Sequence, residues 1–489
     1  MIAFTSVSTA KSKIDMLAVP DCEDRDIHKN TDLKKALAAA RSLEEYSGGQ
    51  KEQVMLLNPE GMRTRRCLCI GLGKSEEITP DRIRIFAGQA VKAALNSRRN
   101  RMVIAVPEAN PLGLPLDVLL ASIMEGAVLA NHAFNRYKKV PKTKPLQRVL
   151  LLVPPQTARR YKSLIDTVEA VCRGTLQARD WTSTPSNDKV PAQFARVITA
   201  AARKSGLQTR VLNEANLKKS KFGALLAVSA GSKNGPRLVE LVYAPRGAVQ
   251  TIVLIGKGVT FDTGGINLKS STNLNIMKID MAGAAAVAAS MMAIAQLKPR
   301  HRVVGLMPLV ENMPSGSATR PGDVVTSLEG KTVEIGNTDA EGRLILIDAM
   351  AYARKKFKPD VMIDLATLTG ACVVALGEKI AAVFSPDDAL AEAIVESGNA
   401  TAERCWRLPL PEDYGELIKS DVADISNMPV SRYGGAITAA LFLSEFAGDT
   451  RWAHIDIAGT AYTKKATEYC GPGGTGFGVR LICDWIQKL

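Results

Sequence analysis

Short runs that are apolar at nearly every position recur through the second part of this chain, and they constrain its fold more than any other feature. TIVLIG, RVVGLMPLV and VMIDLAT show almost no polar alternation. A strand with one wet face alternates apolar and polar side chains, so runs without alternation must be covered on both faces. TRVLN, ALLAVSAG and RLVELVYA are the other strand candidates here, and helical spacing fills most of the gaps. The expectation is a mixed, mostly parallel sheet flanked by helices.

The first part has the same rhythm on a smaller scale. VMLLN (54–58), RCLCIGLG (66–73), MVIAVP and RVLLLVPP read as strands. DRIRIFAGQAVKAAL (81–95) and LDVLLASIMEGAVLANHAF read as helices between them. This predicts an α/β protein of two domains: a small N-terminal α/β domain over 1–160, a connecting helix over 161–180, and a larger domain over 181–489. The helical pattern ARRYKSLIDTVEAVCRGTLQARDW (158–181) supplies the connector.

Composition excludes the disordered and fibrous classes, with 46% hydrophobic and 23% charged residues. The apolar run AGAAAVAASMMAIAQL (282–297) is short for a bilayer and reads as a buried helix. The first twenty residues lack a basic start followed by an apolar stretch, so no signal peptide and a cytoplasmic location are expected. Eight scattered cysteines form no CxxC pair, and Cys67 and Cys69 sit in an apolar strand pattern. Net charge is +14 and concentrates early, with 29 basic against 19 acidic side chains in residues 1–180. NSRRNR (96–101) and NRYKKVPKTK (135–144) could meet nucleic acid. No aromatic interleaving accompanies them, and a solvated basic face is the simpler expectation.

Several familiar motifs fail on one residue. GLGKS (71–75) would need glycine where Leu68 stands to be a P-loop, and GKGVTF (256–261) ends on Phe261 where a dinucleotide fingerprint has glycine. AVSAG (227–231) has Ala227 in place of the first glycine of a nucleophile elbow. The four histidines, at 28, 132, 301 and 454, exclude an HEXXH zinc site.

Two acidic clusters remain. In GNTDAEGRLILIDA (336–349), Thr338 and Glu341 fit a capping box at a helix start, but that does not account for Arg343, whose charge opposes the dipole. In GKGVTFDTGGINLKSSTNLNIMKIDMAGAAA (256–286), Lys257, Asp262, Lys269 and Asp280 are spaced along a strand end, a glycine turn and a helix start. Asp262, Asp280, Asp339 and Glu341 together offer enough hard oxygen donors for two divalent ions. A lysine could join only after losing its proton. The parts favour metal-assisted hydrolysis.

NTDAEGRL (337–344) resembles the signature of the M17 leucyl aminopeptidases, the cytosol aminopeptidase family. DLATLTGA, RYGGAITAALFL, WAHIDIAGTAY, GGTGFGVR and TPSNDK are similar to further family blocks. The resemblance implies a metallo-exopeptidase. Lys257, Asp262, Asp280 and Glu341 would bind one metal; Asp262, Asp339 and Glu341 would bind the other. Lys269 matches the lysine that polarises the scissile carbonyl, and Arg343 the arginine that holds bicarbonate as general base toward water activated between the metals. Met277, Thr367, Gly370 and Ala458 correspond to the pocket for the first side chain, and the carbonyl of Leu368 to the holder of the free amine. Implied cofactors are two divalent ions, manganese or zinc foremost and magnesium or cobalt also suited, together with bicarbonate. Implied partners are short peptides with leucine-like N-termini and five further copies of the chain in a homohexamer. DNA binding through the basic N-terminal domain is the secondary expectation.

Overall fold

The computed structural model describes residues 1–140, 144–429 and 431–489. Of the basic run 135–144, residues 141–143 lie outside the described residues. The chain divides into two compact units, residues 1–172 with 465–472 and residues 173–464 with 473–489.

The first unit is built on β1 (Ile2–Thr5), β2 (Leu17–Asp21), β3 (Gln53–Leu57), β4 (Arg66–Gly71), β5 (Arg101–Ala105) and β6 (Arg148–Leu152). Their order across the sheet is β1-β6-β5-β2-β4-β3, parallel except for the β3 edge. β4 shows why the apolar runs act as core strands: Cys67, Leu68, Cys69 and Ile70 are all buried. The helix Pro80–Asn96 begins where expected, with the Thr79 hydroxyl accepting from Arg82 N.

The second unit holds a nine-stranded sheet. In chain order its strands are β7 (Gln208–Leu212), β8 (Arg237–Tyr243), β9 (Thr251–Gly256), β10 (Gly258–Asp262) and β11 (Arg302–Asn312). β12 (Val324–Thr326) and β13 (Thr332–Glu334) belong to a separate small sheet. The large sheet continues with β14 (Val361–Ala366), β15 (Ala381–Phe384) and β16 (Cys405–Arg407); β17 (Ile425–Ser426) completes the small one. β18 (Arg451–Asp456) returns to the large sheet, whose order is β16-β15-β18-β14-β9-β11-β8-β7, with β10 also on β11. The centre, β18-β14-β9-β11, is wholly parallel. The helix Ala282–Leu297 is buried from Ala282 through Ile294. By length and composition the stretch Met277–Leu297 could cross a membrane, yet 89% of its 18-residue apolar window is buried inside the fold.

Two expectations need correction. ALLAVSAG is not a strand but the helix Gly223–Ser229 followed by a turn. The run is too short for periodicity to decide, and a distant group decides it: Asp348 accepts from Leu225 N at 2.9 Å, satisfying a donor of the first helical turn. Ser229 donates to Leu226 O within that helix, as no nucleophile elbow would. The pattern over 158–181 is two helices, Pro155–Arg160 and Lys162–Ser183.

Candidate metal centre

The site forms at the carboxyl ends of the parallel strands, where open α/β sheets gather functional groups. Close backbone approach makes it possible. A Cβ on Gly283 would fall 2.1 Å from Leu365 O, so only glycine lets this helix start press on the end of β14. That contact sets Asp280, two residues before the helix, beside Lys257 at the end of β9. A Cβ on Gly342 would fall 2.7 Å from Lys257 Cε, so the lysine arm passes directly over the start of the helix Glu341–Phe357.

Lys257 Nζ lies 2.9 Å from Asp280 Oδ2 and 2.7 Å from Glu341 Oε1, and it donates to Thr367 O at 2.8 Å. Lys269 Nζ lies 2.8 Å from Asp262 Oδ2 and 2.5 Å from Asp339 Oδ1. One oxygen each from Asp262, Asp280 and Glu341 falls within 4.8 Å of the others. Four carboxylates thus face two ammonium groups, and all but Asp339 and Lys269 are buried.

Asp280 Oδ2, Asp339 Oδ1 and Glu341 Oε1 are enclosed, and among the described residues they have no partner of good hydrogen-bond geometry beyond their ion pairs with the two lysines. Oxygens left this way, in a set of hard donors with two cations already among them, fit divalent metal ions. Burial first, then the charge of Glu341, pushes the Asp262 carboxyl up to about 6. Burial likewise raises Asp280 and Asp339. Burial would raise Glu341 too, but Lys257 and Lys269 outweigh it and hold Glu341 below the usual carboxylate range. Lys257 is fully buried, and its carboxylate neighbours still hold its pKa above the usual lysine value. It is an ammonium here and can ligate only when an ion displaces its proton.

Arg343 sits in the first turn of its helix, buried. Nη1 donates to Asn427 O at 2.7 Å, Nε has no partner among the described residues, and the guanidinium lies over the Phe442 ring at 5.9 Å. Among the described residues no carboxylate pairs with it, and burial pushes its pKa down to about 10.

Of the other expected residues, Thr367, Leu368 and Gly370 follow β14 and Ala458 follows β18, while Met277 lies just before Asp280. Thr367 Oγ1 donates to Asp280 Oδ1 at 2.7 Å, tying this loop to the acidic cluster. Leu368 N and Ala458 N both donate to Asp456 Oδ1. Gly370 opens the helix Gly370–Leu376, and Met277 opens the turn Met277–Ile279 that ends at Asp280.

The capping box is a further correction. Glu341 is the first helical residue, Ala340 is the cap, and no side chain caps the helix. Thr338 instead donates to Gly264 O at 2.6 Å and accepts from Asn267 N, joining the two acidic segments. Three organising residues are not among the expected site residues, although Asp456 lies inside the WAHIDIAGTAY block. Asn312, ending β11, donates to both Asp262 Oδ1 and Thr338 O. Asn427 accepts from Gly336 N and Asn337 N and donates to Asn337 O. Asp456 anchors the loops just described.

Buried carboxylates, two ammonium groups and a guanidinium with no carboxylate partner among the described residues make a site chemically suited to a metalloenzyme. Comparison with known proteins gives the family. Residues 176–483 match the catalytic domain of the cytosol aminopeptidase family, and residues 23–141 match its N-terminal domain. A probable cytosol aminopeptidase of Geobacter sp. (strain M21) is 43% identical over 444 residues, covering 90% of this chain and 89% of that protein. That of Syntrophotalea carbinolica is 41% identical over 490 residues, 98% of each. Among solved structures, the bottromycin maturation enzyme BotP in complex with Mn superposes with a TM-score of 0.86 at 35% identity, covering 97% of this chain and 99% of that one. A mutant of tomato leucine aminopeptidase gives 0.88 at 33%, covering 100% and 96%. The chain belongs to the cytosol aminopeptidase family and is a metallo-exopeptidase with an acidic metal-binding cluster in its catalytic domain.

Proposed function

We propose that this enzyme removes leucine-like N-terminal residues from short peptides, using two divalent ions and a bicarbonate. The convergence of Asp262, Asp280 and Glu341 oxygens within 4.8 Å, beside a buried lysine, carries the reading. Lys257, Asp262, Asp280 and Glu341 would hold one ion; Asp262, Asp339 and Glu341 would hold the second. Manganese, as in the BotP structure, or zinc suits these donors. When bound, such ions supply Lewis acidity, making water a stronger acid and a carbonyl carbon a better electrophile.

The chain's own groups would do the rest. Lys269, held between Asp262 and Asp339, donates to the carbonyl oxygen as negative charge grows on it. Arg343, whose Nε has no partner among the described residues, would hold the bicarbonate that serves as general base. Leu368 O receives the substrate amine, and Met277, Thr367, Gly370 and Ala458 line the pocket for the first side chain. Residues 181–489 would form the catalytic domain, 161–180 the connector and 1–160 the N-terminal domain of a cytoplasmic homohexamer.

Leucine-p-nitroanilide hydrolysis tests the reading. Chelator abolishes turnover and added manganese or zinc restores it. Full turnover by protein shown to be metal-free overturns it.

A further inference from the structure

Asp456 ends β18 only 1% exposed, and its carboxylate is spent entirely on the substrate loops. Oδ1 accepts from Leu368 N at 3.1 Å and from Ala458 N at 3.0 Å, and Oδ2 accepts from the Thr369 hydroxyl at 2.7 Å. Thr369 Oγ1 accepts in turn from Cys372 N at 3.0 Å, starting the helix Gly370–Leu376. The other end of this loop is fixed by the acidic cluster, through Thr367 Oγ1 on Asp280 and Lys257 on Thr367 O. Leu368 therefore hangs between two anchors, one at the metal centre and one at Asp456. No apolar side chain could replace the second anchor, because two backbone N–H groups and a hydroxyl point at a single site.

We propose that Asp456 is a positioning residue for selecting the substrate's N-terminal side chain. It holds the Leu368 and Ala458 backbones in the register that shapes the pocket, without touching the substrate or the metals. This inference rests on the substrate contacts assigned above. Pocket shape sets the ratio between substrates differing by a few methylenes, whereas loss of folded enzyme scales all substrates alike.

The test compares kcat/KM for leucine- and alanine-p-nitroanilide in the full-length enzyme with Asp456→Ala, Asp456→Asn and Thr369→Val. In Asp456→Ala the leucine-to-alanine ratio falls about tenfold, mainly through a higher KM for the leucine substrate. Thr369→Val, which removes one of the three bonds to Asp456 together with the cap on Cys372 N, lowers it about threefold and carries the test alone if Asp456→Ala does not fold. Asp456→Asn keeps an oxygen for both N–H groups and returns the ratio to within about threefold of the wild type. Manganese affinity, measured calorimetrically, stays within about twofold in all three, since Asp456 and Thr369 bond neither a metal-holding side chain nor Thr367, the residue that supports two of them. A ratio unchanged in Asp456→Ala and Thr369→Val overturns the inference while leaving the aminopeptidase reading standing. A wild type that cleaves neither substrate overturns both.

Discussion

Lys257→Met isolates the charge at the heart of the acidic cluster. Methionine fills nearly the same volume, so the change removes an ammonium group that stands 2.9 and 2.7 Å from two buried carboxylates. Removing one partner of a buried ion pair typically costs about 3–5 kcal/mol. Proton uptake limits that cost, because a carboxylate can escape by becoming neutral at about 1.4 kcal/mol per pH unit. For a glutamate of ordinary pKa, about 4.3, the ceiling at pH 7 is about 3.7 kcal/mol. In a unit of roughly 300 residues, 1 kcal/mol moves the melting midpoint by about 1.5 °C, so the metal-free variant melts about 5 °C lower. The pH dependence has a definite sign. Lys257 holds both Asp280, already raised by burial, and Glu341 down, so both carboxyl groups move up when it is removed. A carboxyl group raised on folding loses stability as pH climbs from its unfolded pKa through its folded one. The deficit therefore widens from pH 5 to pH 8. Saturating manganese supplies the missing positive charge and narrows it. Scanning calorimetry in EDTA and in manganese at both pH values measures all of this. A variant melting within 1 °C of wild type in EDTA at pH 8, or stabilised by manganese no more than wild type, refutes the reasoning.

Asp339→Ala loses one ion and nearly all turnover while the fold persists, because Asp339 is the least buried of the four carboxylates; metal analysis and circular dichroism check it. Lys269→Ala lowers turnover by at least about a hundredfold and metal content far less, and a matched fall in both would refute its role as electrophile. Gly342→Ala forces a methyl against the Lys257 arm and weakens manganese binding; calorimetric affinity equal to wild type would show that the lysine has room to move. Asp348, buried under Leu225 N and Leu328 N, has its pKa pushed up to about 7 by burial. It thus contributes stability below its unfolded pKa that drains away as pH rises toward 7. Asp348→Asn leaves one N–H facing an amide, costing about 1–3 kcal/mol at pH 5. That deficit shrinks at pH 8, and urea unfolding showing it grow instead would contradict the assignment.

The parts of this protein readable from the chain are those set by neighbours in sequence. TIVLIG, RVVGLMPLV and VMIDLA are strands because runs with no polar face have nowhere to go except between layers. The NTDAEGRL octet brings two carboxylates and a guanidinium together within seven residues, close enough to be noticed before any folding. Three-dimensional packing decided the rest. ALLAVSAG became a helix because Asp348, more than a hundred residues away, accepts its N–H. Thr338 gave up a local cap for the carbonyl of Gly264, a partner that adjacency in sequence could not supply. Asn312 and Asn427 look like ordinary polar residues in the chain, and Asp456 only like one letter of a longer block; all three become anchors when separate loops present several donors or acceptors to one point. Composition and pattern fix which groups are present and which segments must be buried. Which buried groups satisfy one another is a property of contacts between distant residues, and only the folded chain contains it.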